Sequence, residues 1–238
     1  MENFLTAEWR KLLMANYEVP AQLLQPYLPA HTELDTWRGK HYVSLVGFMF
    51  LNTKVLGVSF PFHTNFEEVN LRFYVRYKEQ NTWKRGVVFI REIVPKHLIS
   101  WVANTVYKEN YATYPMQHTW KSTDNELLVR YEWQVEQTWN YLQVTAHPTP
   151  LPLVTGSKAE FITEHYWGYA KVNEQSSMEY EVRHPAWQIY SIKEFATYID
   201  IAKVYGEPFY DYLSVAPASV FLAEGSEISV QRGKRVSR

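Results

Sequence analysis

The chain has 238 residues, a net charge of −1 and no cysteine. The near-neutral charge argues against a nucleic-acid surface or a polybasic membrane anchor, and the missing cysteines exclude disulfides, thiol catalysis and cysteine-ligated zinc. A content of 46% apolar and 21% charged residues is that of an ordinary globular protein, and 16% aromatic residues favours strands and large-walled pockets.

No window approaches the ~20 apolar residues of a membrane span. No basic segment followed by an apolar run marks a signal peptide, so the expected setting is the cytoplasm. The length suits a single domain over 1–238.

Residues 1–19, with Trp9, Arg10, Leu12, Leu13 and Tyr17, read as an entering strand or an irregular segment. Pro20 opens a short helix with Leu23, Leu24, Tyr27 and Leu28 on its apolar side, and Pro29 stops it. His41 to Phe50 is an apolar strand buried on both faces, and Lys54 to Phe60 reads as another. Phe66 to Tyr77 alternates most clearly. Val69, Leu71, Phe73, Val75 and Tyr77 take one face; Glu68, Asn70, Arg72, Tyr74 and Arg76 take the other. The polar face is wet in an open sheet, the favoured expectation, or lines the interior of a closed barrel.

Gly86 to Met116 is the stretch richest in chemistry. Val87 to Ile90 is a strand signal, followed by Arg91, Glu92, Pro95, Lys96 and His97. From Lys96 to about Tyr107 the period becomes helical, with Pro95 suited to the first helical position. Four ionisable residues thus stand where a buried strand hands over to a helix. A lysine acting as a Schiff-base nucleophile needs its pKa lowered by about 3 units, roughly 4 kcal/mol. The helix dipole supplies about 0.3–1 kcal/mol of that, and burial must supply the rest.

Glu126 to Val135 and Thr138 to Ala146 read as paired strands, then a proline-rich crossing at 147–152. Ser157 with Glu160 has capping-box spacing. Thr163 to Tyr169 and His184 to Trp187 are dense in aromatic and polar groups, and His165, Tyr166 and Trp167 are candidate ligand contacts. Tyr180 to Ile192 reads as a strand broken at Pro185. Ser191 with Glu194 is a second capping box, leading a helix that buries Phe195, Tyr198, Ile199, Ala202 and Tyr205 and ends at Gly206. Ser219–Ala223 and Ile228–Gln231 close the fold as strands, with a frayed basic tail from Gly233 to Arg238. The histidines lack metal-ligand spacing, and no serine elbow or glycine-rich phosphate loop occurs. No metal and no cofactor is therefore expected. The pattern is α+β and mostly antiparallel, a barrel or a strongly curved sheet with a few peripheral helices.

Six segments together resemble the YqjF-like proteins: the run from Asn16 to Pro29, Phe66 to Arg72, GVVFIREIVPKH at 86–97, TEHYWGY at 163–169, HPAW at 184–187 and SVFLAEGSEISV at 219–230. That family groups by fold with acetoacetate decarboxylase, so the resemblance implies a cone-shaped β-barrel. It further implies Lys96 as the imine-forming nucleophile, in a motif echoed by Arg91, Glu92 and Pro95, with Glu92 and Pro95 two residues closer than in the decarboxylase. His97 stands where the decarboxylase has a second lysine. Arg10 and Glu68 match the decarboxylase's arginine and glutamate by position. Arg91, Glu92, His97 and Arg72 join His165, Tyr166 and Trp167 as substrate contacts. Three readings stay open: a barrel binding a small organic anion or apolar metabolite, a Schiff-base lyase acting on a small β-keto acid through Lys96, and a non-catalytic scaffold. The expected partner is a small molecule, with no nucleic acid and no membrane; a homo-oligomer is left open.

Overall fold

The computed structural model describes residues 3–237. Its long strands are β1 (Asn3–Val19), β3 (His41–Val55), β4 (Phe66–Glu79), β5 (Thr82–Val94) and β14 (Ser219–Gln231). They pair antiparallel in the order β14-β1-β3-β4-β5. Beyond β5, β10 (Trp167–Asn173) joins in parallel, through Trp167 opposite Gly86 and Gly168 opposite Val87. It pairs antiparallel with β11 (Ser176–Arg183). β11 then meets β14, with Val182 opposite Val230 and Arg183 opposite Ser229, so the pairings run in a cycle. Shorter strands extend its margins: β2 (Thr32–Leu34) on β4, β6 (Tyr111–Thr113) on β5, β12 (Ile189–Tyr190) on β14 and β15 (Lys234–Ser237) on β11.

A second antiparallel sheet has the order β13-β9-β8-β7, from β7 (Met116–Ser122), β8 (Leu127–Val135), β9 (Thr138–Ala146) and β13 (Ile192–Tyr198). On β8 the alternation is carried through: Leu127, Val129, Tyr131, Trp133 and Val135 are all buried. They share one core with Val69, Leu71, Phe73 and Val75 of β4. Gly47 on β3 makes the contact close, since a Cβ there would lie 2.8 Å from the Tyr131 ring. The Tyr131 hydroxyl also donates to the Lys11 carbonyl at 2.8 Å. The helices are short: α1 (Ala21–Leu24), α2 (His97–Val106), α3 (Lys158–Thr163), α4 (Ile201–Tyr205) and α5 (Tyr210–Leu213). Among the described residues no helix is long and apolar enough to cross a membrane.

Five expectations need correction. The helix led by Ser191 and Glu194 is strand β13 as far as Tyr198, because the free edge of β9 pairs with it from Ile192 to Tyr198. Only α4 remains helical, and its cap is Asp200, whose carboxylate accepts from the Lys203 amide. Lys54 to Phe60 is not a strand: β3 ends at Val55, and Leu56 and Gly57, both at positive φ, turn the chain so that Val55 bridges Val58. The basic tail is tied down as β15 as far as Ser237, while Arg238 lies outside the described residues. Pro95 stands before α2 rather than in it, and Lys96 is the cap residue. The polar face of β4 is not wet. Glu68, Asn70, Arg72 and Tyr74 are 1–7% exposed.

Candidate functional site

Because the second sheet takes the hydrocarbon face of β4, its other face must be covered differently. It looks into a cavity of about 340 Å³, and Glu68, Asn70 and Arg72 all reach its wall. On β5, Val87 and Phe89 reach it as well. Strict alternation would then turn Arg91 inward. Instead Leu71 pairs with Arg91 and the next residue, Arg72, pairs with Phe89, leaving Ile90 as the extra residue of a β-bulge. The bulge resets the parity. Glu92 therefore joins the cavity wall, opposite Asn70, and Arg91 is turned away. β6 runs parallel to β5 and sets Tyr111 beside Glu92. Glu109, just ahead of β6, also lines the cavity. α2 covers one side with Leu98, Ile99, Val102 and Ala103.

The polar groups are few and divide into two ends. At one, Tyr111 donates to Glu68 at 3.0 Å, the Asn70 amide donates to Glu68 at 2.9 Å, and Tyr180 donates to Glu109 at 2.7 Å. Burial raises Glu68 to about 7 and Glu109 to about 8. Glu92 is pushed well above the usual carboxylate range, by burial first and then by the neighbouring Glu109 and Glu68. Glu92 Oε2 and Asn70 Oδ1 have no hydrogen-bond partner. Among the described residues none of the three carboxylates has a cationic nitrogen within 4.0 Å.

At the other end Arg72, 7% exposed, donates only to the Ile162 carbonyl at 3.4 Å and weakly to Met14 Sδ at 3.8 Å. Its Nε has no partner, and among the described residues no carboxylate oxygen lies within 4.0 Å of it. His165 packs on the rings of Tyr74 and Phe161 at 4.7 and 5.4 Å. Burial lowers its pKa to about 4, leaving the imidazole neutral at pH 7, and Nε2 is 3.6 Å from Asp35. Burial works against the Asp35 charge, but His165 and Arg85 outweigh it and hold the carboxyl at about 2.

Of the residues singled out from the sequence, Glu68, Arg72, Glu92, His165 and Trp167 meet on this cavity. The others stand elsewhere. Lys96 is half-buried at the α2 cap and is not on the cavity wall, and His97 is exposed. Arg10 Nη2 lies 2.6 Å from Glu8 and Nη1 3.9 Å from Glu224. The Tyr166 hydroxyl donates to Glu164, and its ring stacks on His184 at 4.7 Å. Sequence reasoning missed Asn70, Glu109, Tyr111 and Tyr180 as site residues. Asn70 alone carried a signal, its place between Glu68 and Arg72 on one strand face. Among the described residues no group of three His, Asp or Glu is arranged to hold a metal ion.

Comparison with known proteins gives a family and a fold. The DUF2071 family, described as an uncharacterized conserved protein, matches residues 6–227. An uncharacterized protein, YqjF of Bacillus subtilis (strain 168), is 27% identical over 186 residues, 75% of this chain and 72% of that protein. Among solved structures, acetoacetate decarboxylase from Legionella pneumophila aligns over 98% of this chain and 87% of its own, with a TM-score of 0.66 and 13% identity. The enduracididine biosynthesis enzyme MppR complexed with pyruvate covers 100% and 92%, at TM-score 0.68 and 10% identity. An acetoacetate decarboxylase-like enzyme from Sphingomonas wittichii RW1 covers 100% and 94%, at TM-score 0.64 and 11% identity. At these identities the likeness is one of fold. The mostly antiparallel architecture with few helices is that of the acetoacetate decarboxylase-like proteins.

Proposed function

As the chain belongs to the DUF2071 family of uncharacterized conserved proteins, we propose that it binds a small organic acid in this cavity, its anionic group on Arg72 and its body against the apolar walls. The cycle of strand pairings is read here as a closed barrel, with the cavity as its interior. The single observation that carries the reading is Arg72, a buried guanidinium with an unpartnered Nε and, among the described residues, no carboxylate oxygen within 4.0 Å. A buried arginine left unpaired costs several kcal/mol, which an incoming carboxylate offsets through a bidentate, charge-assisted contact. The volume of about 340 Å³ falls at the lower end of the range for small-molecule pockets. Trp9, Phe48, Phe50, Phe66 and Phe89 supply a wall for an apolar body. A pyruvate complex of a fold neighbour is in keeping with a ligand of this class.

The test is a calorimetric panel of short-chain acids against the protein and Arg72→Met. At least one acid should bind, and Arg72→Met should weaken it about 10- to 100-fold, the worth of a charge-assisted contact. Equal affinity for the variant, or no binding by any acid, would overturn the reading.

A further inference from the structure

Arg72 leaves the opposite end of the cavity without a counterpart. Glu68 and Glu92 are 2% and 1% exposed, and such carboxyls are almost never fully buried unless paired. Here three carboxyls share one end, and among the described residues none has a cationic nitrogen within 4.0 Å; the nearest charge felt there is that of Arg72, which lowers Glu68 as the last of its influences. Two acceptors at that end are unsatisfied, Glu92 Oε2 and independently the Asn70 side-chain oxygen, on a residue 2% exposed; the unpartnered indole N–H of Trp9, packed against Tyr107 and Tyr180, reaches neither of them. The hydroxyls of Tyr111 and Tyr180 are already committed to Glu68 and Glu109. What the pocket end leaves open is two acceptor oxygens beside carboxyls that burial holds back from ionising.

We infer that the ligand of this cavity carries, besides its acid group, a basic nitrogen that seats among Glu68, Asn70, Glu92 and Glu109. The inference rests on the organic-acid reading above for the position of the other end. The separation follows from the strands. Asn70 is two residues from Arg72, about 7 Å along β4, and Glu92 stands directly across from Asn70. The two charges of the ligand therefore lie several bonds apart, as in an ω-amino acid, and the methylenes between them face the aromatic wall. Tyr107, Tyr111 and Phe89 also line the cavity, and an aromatic ring attracts a cation placed over its face.

The chemistry has a proton signature. The groups facing this end are Glu68 from β4, Glu92 from β5, Glu109 and Tyr111 at β6, Tyr107 beyond α2, and Tyr180 from β11, with Arg72 further along β4 the one cation whose charge Glu68 feels. Burial first, and for Glu92 and Glu109 the neighbouring carboxylates after it, keep these carboxyls partly protonated at neutral pH. An arriving ammonium favours their ionised form, and a carboxyl proton leaves to solvent as it binds.

Three matched probes test this by calorimetry at pH 6.5, in two buffers of different ionisation enthalpy: hexanoate, hexylamine and 6-aminohexanoate. 6-Aminohexanoate should bind at least about tenfold more tightly than hexanoate, with net proton release that hexanoate does not show. Glu92→Gln should bring its affinity down towards that of hexanoate and reduce the release; Glu109→Gln serves if that variant does not fold. Hexanoate binding with no gain for 6-aminohexanoate would overturn this inference and leave the organic-acid reading standing. Binding of hexylamine but not hexanoate would overturn the organic-acid reading, and with it the two-ended ligand. No binding by any probe would sink both.

Discussion

The two faces of β4 are equally dry and chemically opposite. Val69, Leu71, Phe73 and Val75 are 0% exposed and lie in an apolar core shared with the second sheet. Glu68, Asn70 and Arg72 are 2–7% exposed and meet a cavity, with Asn70 Oδ1 and Arg72 Nε unpaired. Burial on the first face stabilises the fold, at about 1.5–3 kcal/mol per large side chain. Burial on the second costs free energy that the hydrogen bonds to Glu68 and from Arg72 offset only in part. A strand that alternates between the two shows where structure ends and ligand recognition begins.

Substitutions on neighbouring residues should separate the faces. Phe73→Ala should lower unfolding stability by about 3–5 kcal/mol in urea, because a cavity opens between two sheets that cannot collapse onto it. Arg72→Met, one residue away, should leave stability unchanged or raise it by about 1–4 kcal/mol, as buried charges replaced by apolar side chains do. If Arg72→Met destabilises as much as Phe73→Ala, the second face is structural and the comparison fails.

The alternation of β4 was legible because a period of two needs only the strand's own residues. Which face would be dry was not, since that depends on β7 to β9 and on β11 closing onto β14, none of which leaves a mark near Glu68. Glu92 was legible as a candidate, but its inward direction was not. That direction comes from the bulge at Ile90, which no local turn residue announces. Glu109 and Tyr111 follow α2 without any periodicity, and only the short parallel pairing of β6 brings them to Glu92. The Ser191–Glu194 box shows the converse failure. A local helix signal worth about 1 kcal/mol lost to a free strand edge at β9.

The acidic end should also appear in the pH dependence of folding. Glu68 and Glu109 are raised from 4.5 to about 7 and about 8, so between those values the folded chain holds protons that the unfolded chain has released. Their contribution is fully present below about 4.5 and is lost as pH rises through 7 and 8. His165, lowered from 6.5 to about 4, acts oppositely, its contribution being lost as pH falls from 6.5 through 4. Above pH 6.5 that histidine is neutral in both states. Urea midpoints should therefore fall between pH 6.5 and 8.5, and Glu109→Gln should flatten the fall. A midpoint that climbs over this range would show the carboxyls to be ionised and paired after all.

The smallest effect is expected at Lys96, which belongs to neither face. It caps α2, half-buried, and its charge is felt by Glu67, which His118 holds at 2.6 Å outside the cavity. Imine chemistry needs the amine within reach of a bound carbonyl, about 3–3.5 Å. The cavity wall ends at Leu98 and Ile99 of α2 without including Lys96. Incubation with acetoacetate and borohydride should therefore leave Lys96 unmodified by mass spectrometry, and Lys96→Met should change the affinity for a bound acid by less than about twofold, as for a surface charge away from the contact. A reduced adduct on Lys96 would mean that α2 turns its first residues inward in solution. The chemistry would then have to be sought at the mouth of the cavity rather than between its two charged ends.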